Sequence, residues 1–128
     1  MKPYFPDKKK ILKNKLSINE EEVEKIQSFG HWGKPLIWEK SVGIKSGFEL
    51  GVSSYYAKEF PKSKTHEDEE AIYIISGDGV AKIGDKKFKL KKSTAIYIPS
   101  NTPHCIKNKG KKALKAVYCH SGKRSLLK

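Results

Sequence analysis

The sequence predicts an all-β domain, an antiparallel sandwich or small barrel, with a basic arm and one short helix at its N-terminal side. Three observations lead there. After Gly30 the apolar residues alternate with polar ones at period two, the mark of half-buried strands. Turn-forming residues break this alternation at roughly even intervals of about ten positions, as in two-sheet β folds. One break, Gly84-Asp85, suits a two-residue hairpin, which needs positive φ. The 128 residues are most simply one domain, large enough to bury a core without disulfides.

Within that domain, residues 1–34 read as N-terminal arm and helix, 35–121 as the β-barrel and 122–128 as a basic tail. The arm, residues 1–16, is lysine-rich and punctuated by prolines. Tyr4, Phe5, Ile11, Leu12 and Leu16 are its anchors, for the body or for a neighbouring subunit. Ser17 and Glu20 have capping-box spacing, and Val23, Ile26 and Phe29 recur every third residue before Gly30, so a helix is predicted over about 18–29. His31, beside Trp32 and Gly33, reads as a loop or cap residue. Trp38 and Val42 bracket a short strand. A longer strand runs from Phe48 to Tyr56; with Glu49 turned to water, Phe48, Leu50, Val52, Ser54 and Tyr56 share its inner face.

Further strands are predicted at 71–76, 79–83, 86–90, 94–98, 104–108 and 113–120. Lys115 pointing outward takes Ala113, Val117 and Cys119 with it and turns Leu114, Ala116, Tyr118 and His120 inward. Lys107 outward likewise places Cys105 outward and His104, Ile106 and Asn108 inward. Glu70 falls on the face of Ile72 and Ile74. A carboxylate on an inner face demands a cation or hydrogen-bond donors.

The formal charge of +13 comes from 26 lysines and one arginine against 14 acids. The lysines are scattered and the arginine fork that reads phosphates and bases is nearly absent, which argues for a solvated basic surface and against a nucleic-acid partner. Such a charge still attracts an anionic small molecule. Cys105 and Cys119 do not make a disulfide framework. No apolar run approaches the roughly 20 residues of a membrane span and no signal-peptide core follows Met1, so a soluble cytoplasmic protein with no membrane partner is expected.

The chemistry concentrates in Lys64 to Gly77, KTHEDEEAIYIISG, and in Pro99 to Asn108. His66 and Glu70 stand four apart before a strand, and His104 stands at the start of another. Two imidazoles and a carboxylate from different strands suit a divalent first-row metal, as in the two-histidine, one-carboxylate face of non-haem iron oxygenases. His66-x3-Glu70-x6-Gly77 resembles the second half of the first cupin motif, G(x)5HxH(x)3,4E(x)6G. Pro99-x-Asn101-x2-His104-x3-Asn108 resembles the second, G(x)5PxGx2Hx3N. The resemblance implies the cupin double-stranded β-helix, a jelly-roll barrel. It also implies one divalent metal per chain (Fe, Mn, Ni or Zn) held by His66, Glu70 and His104, with His120 as a possible additional ligand. The set is similar to that of two-His-one-Glu cupins such as hydroxypropylphosphonate epoxidase.

Three positions depart from the motifs. Lys64 stands where cupins carry their first histidine, Asn101 where the second motif has a glycine, and Ser93 at that motif's leading glycine. Asn101 tolerates the left-handed backbone a glycine would adopt, whereas an ammonium at 64 does not ligate a metal. Lys64 therefore borders an open three-residue site, or pairs with an anionic substrate or with Glu67 or Asp68, or neutralises Glu70 in a site that has lost its metal. Tyr56, Tyr118 and Asn108 are the candidate substrate-binding groups, and Lys64 the catalytic one. The expected function is metal-dependent chemistry on a small anionic molecule, an oxygenase first and an isomerase or epimerase second. The alternative is a non-catalytic small-ligand or sugar-binding cupin, without metal. A homodimer is expected.

Overall fold

The computed structural model describes residues 16–122. The arm and nearly all of the basic tail lie outside the described residues. Two antiparallel sheets face each other. The larger has six strands in the order β1-β2-β3-β9-β4-β7, with β1 Ile26–Gln27, β2 His31–Ile37, β3 Glu49–Tyr55, β4 Glu70–Ser76, β7 Ala95–Ile98 and β9 Leu114–His120. The smaller has β5 Gly79–Ile83 between β6 Lys86–Leu90 and β8 His104–Asn108. Among the described residues the helices are a 3-10 turn at Glu20–Glu22 and the single turn α1, Glu39–Val42, and no helix is long and apolar enough to cross a membrane.

Strands β4 to β9 match the sequence expectation to within one residue, because each is bounded by a turn with a local chemical cause. The β5–β6 hairpin turns at Gly84, φ 62°. Gly77, φ 93°, carries the chain from the larger sheet to the smaller, and a Cβ there would sit 2.5 Å from the Ala113 carbonyl. Both motif departures at glycine positions keep a glycine-like backbone: Asn101 has φ 56° and Ser93 φ 74°.

The N-terminal expectations fail. The capping signal is real, but Asn19 is the cap: its side chain accepts from the Glu21 amide at 2.8 Å and the Glu22 carboxylate accepts from the Asn19 amide at 2.8 Å. The helix stops after one turn because Ile26 and Gln27 pair with Gly33 and Trp32, and Gly30 (φ 73°) turns a hairpin instead of ending a helix. His31 is accordingly in a strand, opposite Tyr55. The strand expected over 38–42 is α1 instead: the Trp38 amide donates to Ser41 Oγ at 3.1 Å, and Gly43 closes the turn in the left-handed conformation.

Strand β3 is inverted relative to the expectation. Glu49, Gly51, Ser53 and Tyr55 face inward, whereas Phe48, Leu50 and Tyr56 are exposed. Glu49 can be inside because the Tyr118 hydroxyl donates to its Oε2 at 2.6 Å, a compensation that a buried carboxylate requires. Cross-strand register then sorts the inner face of the larger sheet into rows: Glu49, His120 and Glu70; Gly51, Tyr118 and Ile72; Ser53, Ala116 and Ile74; Tyr55 and Leu114. The first row is polar and the last two are mostly apolar. Ile74, Leu114 and Ala116 are fully buried and pack with Ala81, Leu90 and Ile106 of the smaller sheet.

Candidate metal centre

Strand ends assemble the centre. Glu70 opens β4, His120 closes β9, His104 opens β8, and His66 sits in the loop before β4. Two pairs of backbone hydrogen bonds hold the loop in place. Lys64 and His104 exchange N–H···O contacts of 2.8 and 2.9 Å, and the Asn101 amide donates to the His66 carbonyl at 2.8 Å. The left-handed Asn101 thus presents its amide to the loop that carries His66.

Glu70 is the hub. Its Oε1 lies 3.2 Å from His66 Nε2 and 3.7 Å from His104 Nε2, and its Oε2 lies 3.5 Å from His120 Nε2. Ligand atoms of His66, Glu70 and His120 all fall within 4.8 Å of one another. Two donors that share a first-row ion at about 2.1 Å stand about 3.0–3.4 Å apart at octahedral or tetrahedral angles, so the observed separations suit a common ion. The far side of each ring is engaged by oxygen. His104 Nδ1 is 2.9 Å from the Thr102 carbonyl, His66 Nδ1 is 3.0 Å from both the carbonyl and Oδ1 of Asp68, and His120 Nδ1 is 2.7 Å from Asp68 Oδ2. A carbonyl only accepts, so His104 carries its proton on Nδ1 and aims the Nε2 lone pair at Glu70. This is the tautomer and orientation that a metal-ligating histidine takes from its outer partners. The donor set fits a divalent first-row ion.

The electrostatics agree. The hydrogen bond to Glu70 raises His66 above its ordinary value against the pull of burial. Burial pushes the Glu70 carboxyl up, but the His66 hydrogen bond and the surrounding imidazoles outweigh it and hold Glu70 below the usual carboxylate range. Asp68 shows the same balance, burial opposed by the His120 contact and by His66, and also ends lowered. Burial holds His104 below its ordinary value, so its Nε2 is available as a ligand near neutrality.

The predicted trio of His66, Glu70 and His104 is therefore brought together, and His120 joins it. Asp68, which braces two of the rings, was hidden in the acidic run EDEE; its clue is the short spacing His66-x-Asp68-x-Glu70, which alternates about the loop. The other candidates divide. Tyr118 lines the cavity beside the centre, its ring lying over Gly51, where a Cβ would be 2.4 Å from the phenol. Tyr56 does not face the cavity: it is 49% exposed, and the inward tyrosine is its neighbour Tyr55. Burial drives the Tyr55 phenol well up, with Glu70 adding to the effect. Asn108 is inward but fastens a turn, donating to the carbonyls of Tyr55 (3.1 Å) and Lys112 (2.9 Å) and accepting from the Gly110 amide (2.7 Å). Cys105 is buried, not outward, because the loop ahead of Lys64 covers it and Ser63 Oγ donates to its sulfur.

The centre opens into a cavity of ≈ 180 Å³, below the roughly 300–1,000 Å³ of drug-sized sites. Its wall includes Glu49, Tyr118, Lys64 and His31. Lys64 Nζ lies 3.3 Å from His31 Nε2, at the far end of β3 from Glu49 in the strand register.

Two facing antiparallel sheets with a histidine and carboxylate cluster at one end define a cupin-type β-sandwich. The cupin-domain sequence pattern matches residues 54–120, more than half of the chain, and the chain belongs to the cupin family. Its sequence is 43% identical over 56 residues to an uncharacterized protein of Methanocaldococcus jannaschii. That match covers 44% of this chain, and the chain spans only about half (45%) of the relative's length. Among solved structures, the cupin domain of Schizosaccharomyces pombe Cnp3 superposes with a TM-score of 0.69 at 20% identity, over 84% of this chain and 74% of that one. A predicted oxalate decarboxylase from Thermotoga maritima gives 0.69 at 18%, over 83% and 98%. The polyketide cyclase RemF from Streptomyces resistomycificus gives 0.69 at 17%, over 85% and 80%. At these identities the likeness is one of fold.

Proposed function

We propose that this protein is a metal-dependent cupin that holds one divalent first-row ion through His66, Glu70, His104 and His120 and takes a small anionic molecule beside it. The observation that carries this reading is the convergence of three Nε2 atoms on Glu70, with every Nδ1 turned to an oxygen. Glu70 and the three rings bind the ion, and Asp68 and the Thr102 carbonyl fix the ring orientations. Ile72, Ile106 and Tyr55 in the cavity wall exclude water and strengthen the electrostatics inside. Bound there, an ion supplies Lewis acidity toward an oxygen of the ligand or, as iron, chemistry with dioxygen.

A second reading, metal-dependent isomerisation, is favoured by Glu49. This carboxylate is fully buried, lines the cavity and is oriented by the Tyr118 hydroxyl, so it is the protein group placed to accept a proton from a bound molecule. The outer face of the larger sheet, with Leu50, Tyr73, Ile75 and Tyr97 exposed, supports a homodimer in this proposal. Elemental analysis of protein purified without a chelating column tests the metal reading. About one equivalent of Fe, Mn, Ni, Zn or Cu per chain is expected, and less than about 0.2 equivalents, with no uptake on titration, overturns it in favour of a metal-free binding protein.

A further inference from the structure

We infer that Lys64 and His31 form an anion subsite in the cavity, and that the molecule taken is a small organic carboxylate with a second oxygen donor for the ion. The second half of this inference rests on the metal reading; the first does not. Lys64 replaces a histidine of the cupin motif, and its side chain has gone elsewhere in the same cavity. Its backbone is fixed beside the start of β8 by the two hydrogen bonds to His104, while its ammonium lies 3.3 Å from His31 Nε2. The His31 ring is itself fixed. It stacks on Tyr55, with ring centroids 4.8 Å apart and planes 23° from parallel, and its Nδ1 lies 3.3 Å from the Phe29 carbonyl.

Donor and acceptor chemistry settles the roles in this pair. The Phe29 carbonyl can only accept and the ammonium can only donate, so His31 is neutral, protonated on Nδ1, and takes one N–H of Lys64 on Nε2. The positive charge is therefore not cancelled by its neighbour. An ammonium offers three donors, and a ligand carboxylate in the cavity would accept another in a charge-assisted hydrogen bond.

The charge around the cavity selects an anion. Its carboxylates, Glu49 and Glu70, are engaged by Tyr118 and by the imidazoles, and the ammoniums of Lys62 and Lys64 together with a divalent ion outnumber them. Its size selects a small one. No arginine lines the cavity, which removes the fork that suits phosphate and leaves a point charge that suits a carboxylate.

Malonate is the probe. Calorimetric titration into nickel-loaded wild type, Lys64→Met and Lys64→Arg measures the subsite, with elemental analysis of each sample. All three are expected to hold equal nickel, because Lys64 is not a ligand. Lys64→Met is expected to weaken malonate about tenfold or more and Lys64→Arg only about threefold, the difference between removing and reshaping a charge. The His31 ring NMR signals are expected to shift on malonate addition in wild type. Unchanged malonate affinity in Lys64→Met, unmoved His31 signals, or tighter binding of inorganic phosphate than of malonate overturns the proposal. If no sample loads nickel, the metal reading has failed on its own measurement. The subsite is then judged on metal-free protein: malonate binding to wild type that is lost in Lys64→Met supports it, and no binding to wild type overturns it.

Discussion

The two ends of one sheet face solve opposite problems with the same backbone. At the Tyr55–Leu114 end the inner rows are closed by Ile74, Ala116 and Leu114, and burial of apolar area is the stabilising term. At the Glu49–His120–Glu70 end the same strands bury two carboxylates and an imidazole, groups that cost free energy unless each finds a partner. The partners come from other strands and from the loop before β4, so this end depends on long-range geometry where the other depends on composition. Gly51 marks the boundary, since only a residue without a Cβ lets the Tyr118 ring cross from the apolar rows to Glu49.

If that division is right, stability and metal affinity separate along the sheet. The largest effect is expected at Ile74, which is completely buried: Ile74→Ala should cost about 3–4 kcal/mol in denaturant titrations while the folded protein still takes up metal. Loss of metal affinity in the folded variant as large as the loss of stability would break the division. Glu70→Gln should do the reverse, lowering metal affinity by more than about 100-fold, beyond the effect of losing an outer partner, with little change in unfolding midpoint.

Asp68→Asn keeps all four ligands and removes only the charge that orients two rings, so a loss of about 10–100-fold in affinity is expected. An unchanged affinity would mean that the rings are held by packing alone. The fourth test is pH. His66, raised by its hydrogen bond to Glu70, keeps its proton above its ordinary 6.5 in metal-free protein, so an incoming ion must displace that proton. Affinity should therefore fall as pH is lowered, by about tenfold per pH unit for one displaced proton, and the decline should already be under way above 6.5. Calorimetry in buffers of different ionisation enthalpy counts the protons, and zero release near neutrality would contradict the His66–Glu70 account. The smallest effect is expected at Ser93, whose φ of 74° suits glycine; Ser93→Gly should stabilise by about 0.5–1 kcal/mol.

How much of this was legible in the sequence follows the same division. Strands β4 to β9 were readable because alternation and turn residues are local signals, and parity there correctly turned Glu70, His104, Tyr118 and His120 inward. Strand β3 was misread because Glu49 was assigned to water; its partner, Tyr118, is 69 residues away, and nothing near Glu49 announces it. The helix expected over 18–29 failed for a related reason. Its capping signal was genuine, but pairing of Ile26 and Gln27 with β2 outweighed a threefold apolar repeat. The trio of ligands was visible through spacing, whereas the roles of Asp68 and His31 depend on where a loop and an early strand come to lie.

The central claim is that three imidazoles and Glu70 bind one ion together. Pulsed EPR of the copper(II)-loaded protein counts coordinated imidazoles directly. The account predicts three, falling to two in each of His66→Ala, His104→Ala and His120→Ala. One imidazole or none in the wild-type spectrum, or a count that does not change when one of these histidines is removed, would contradict it.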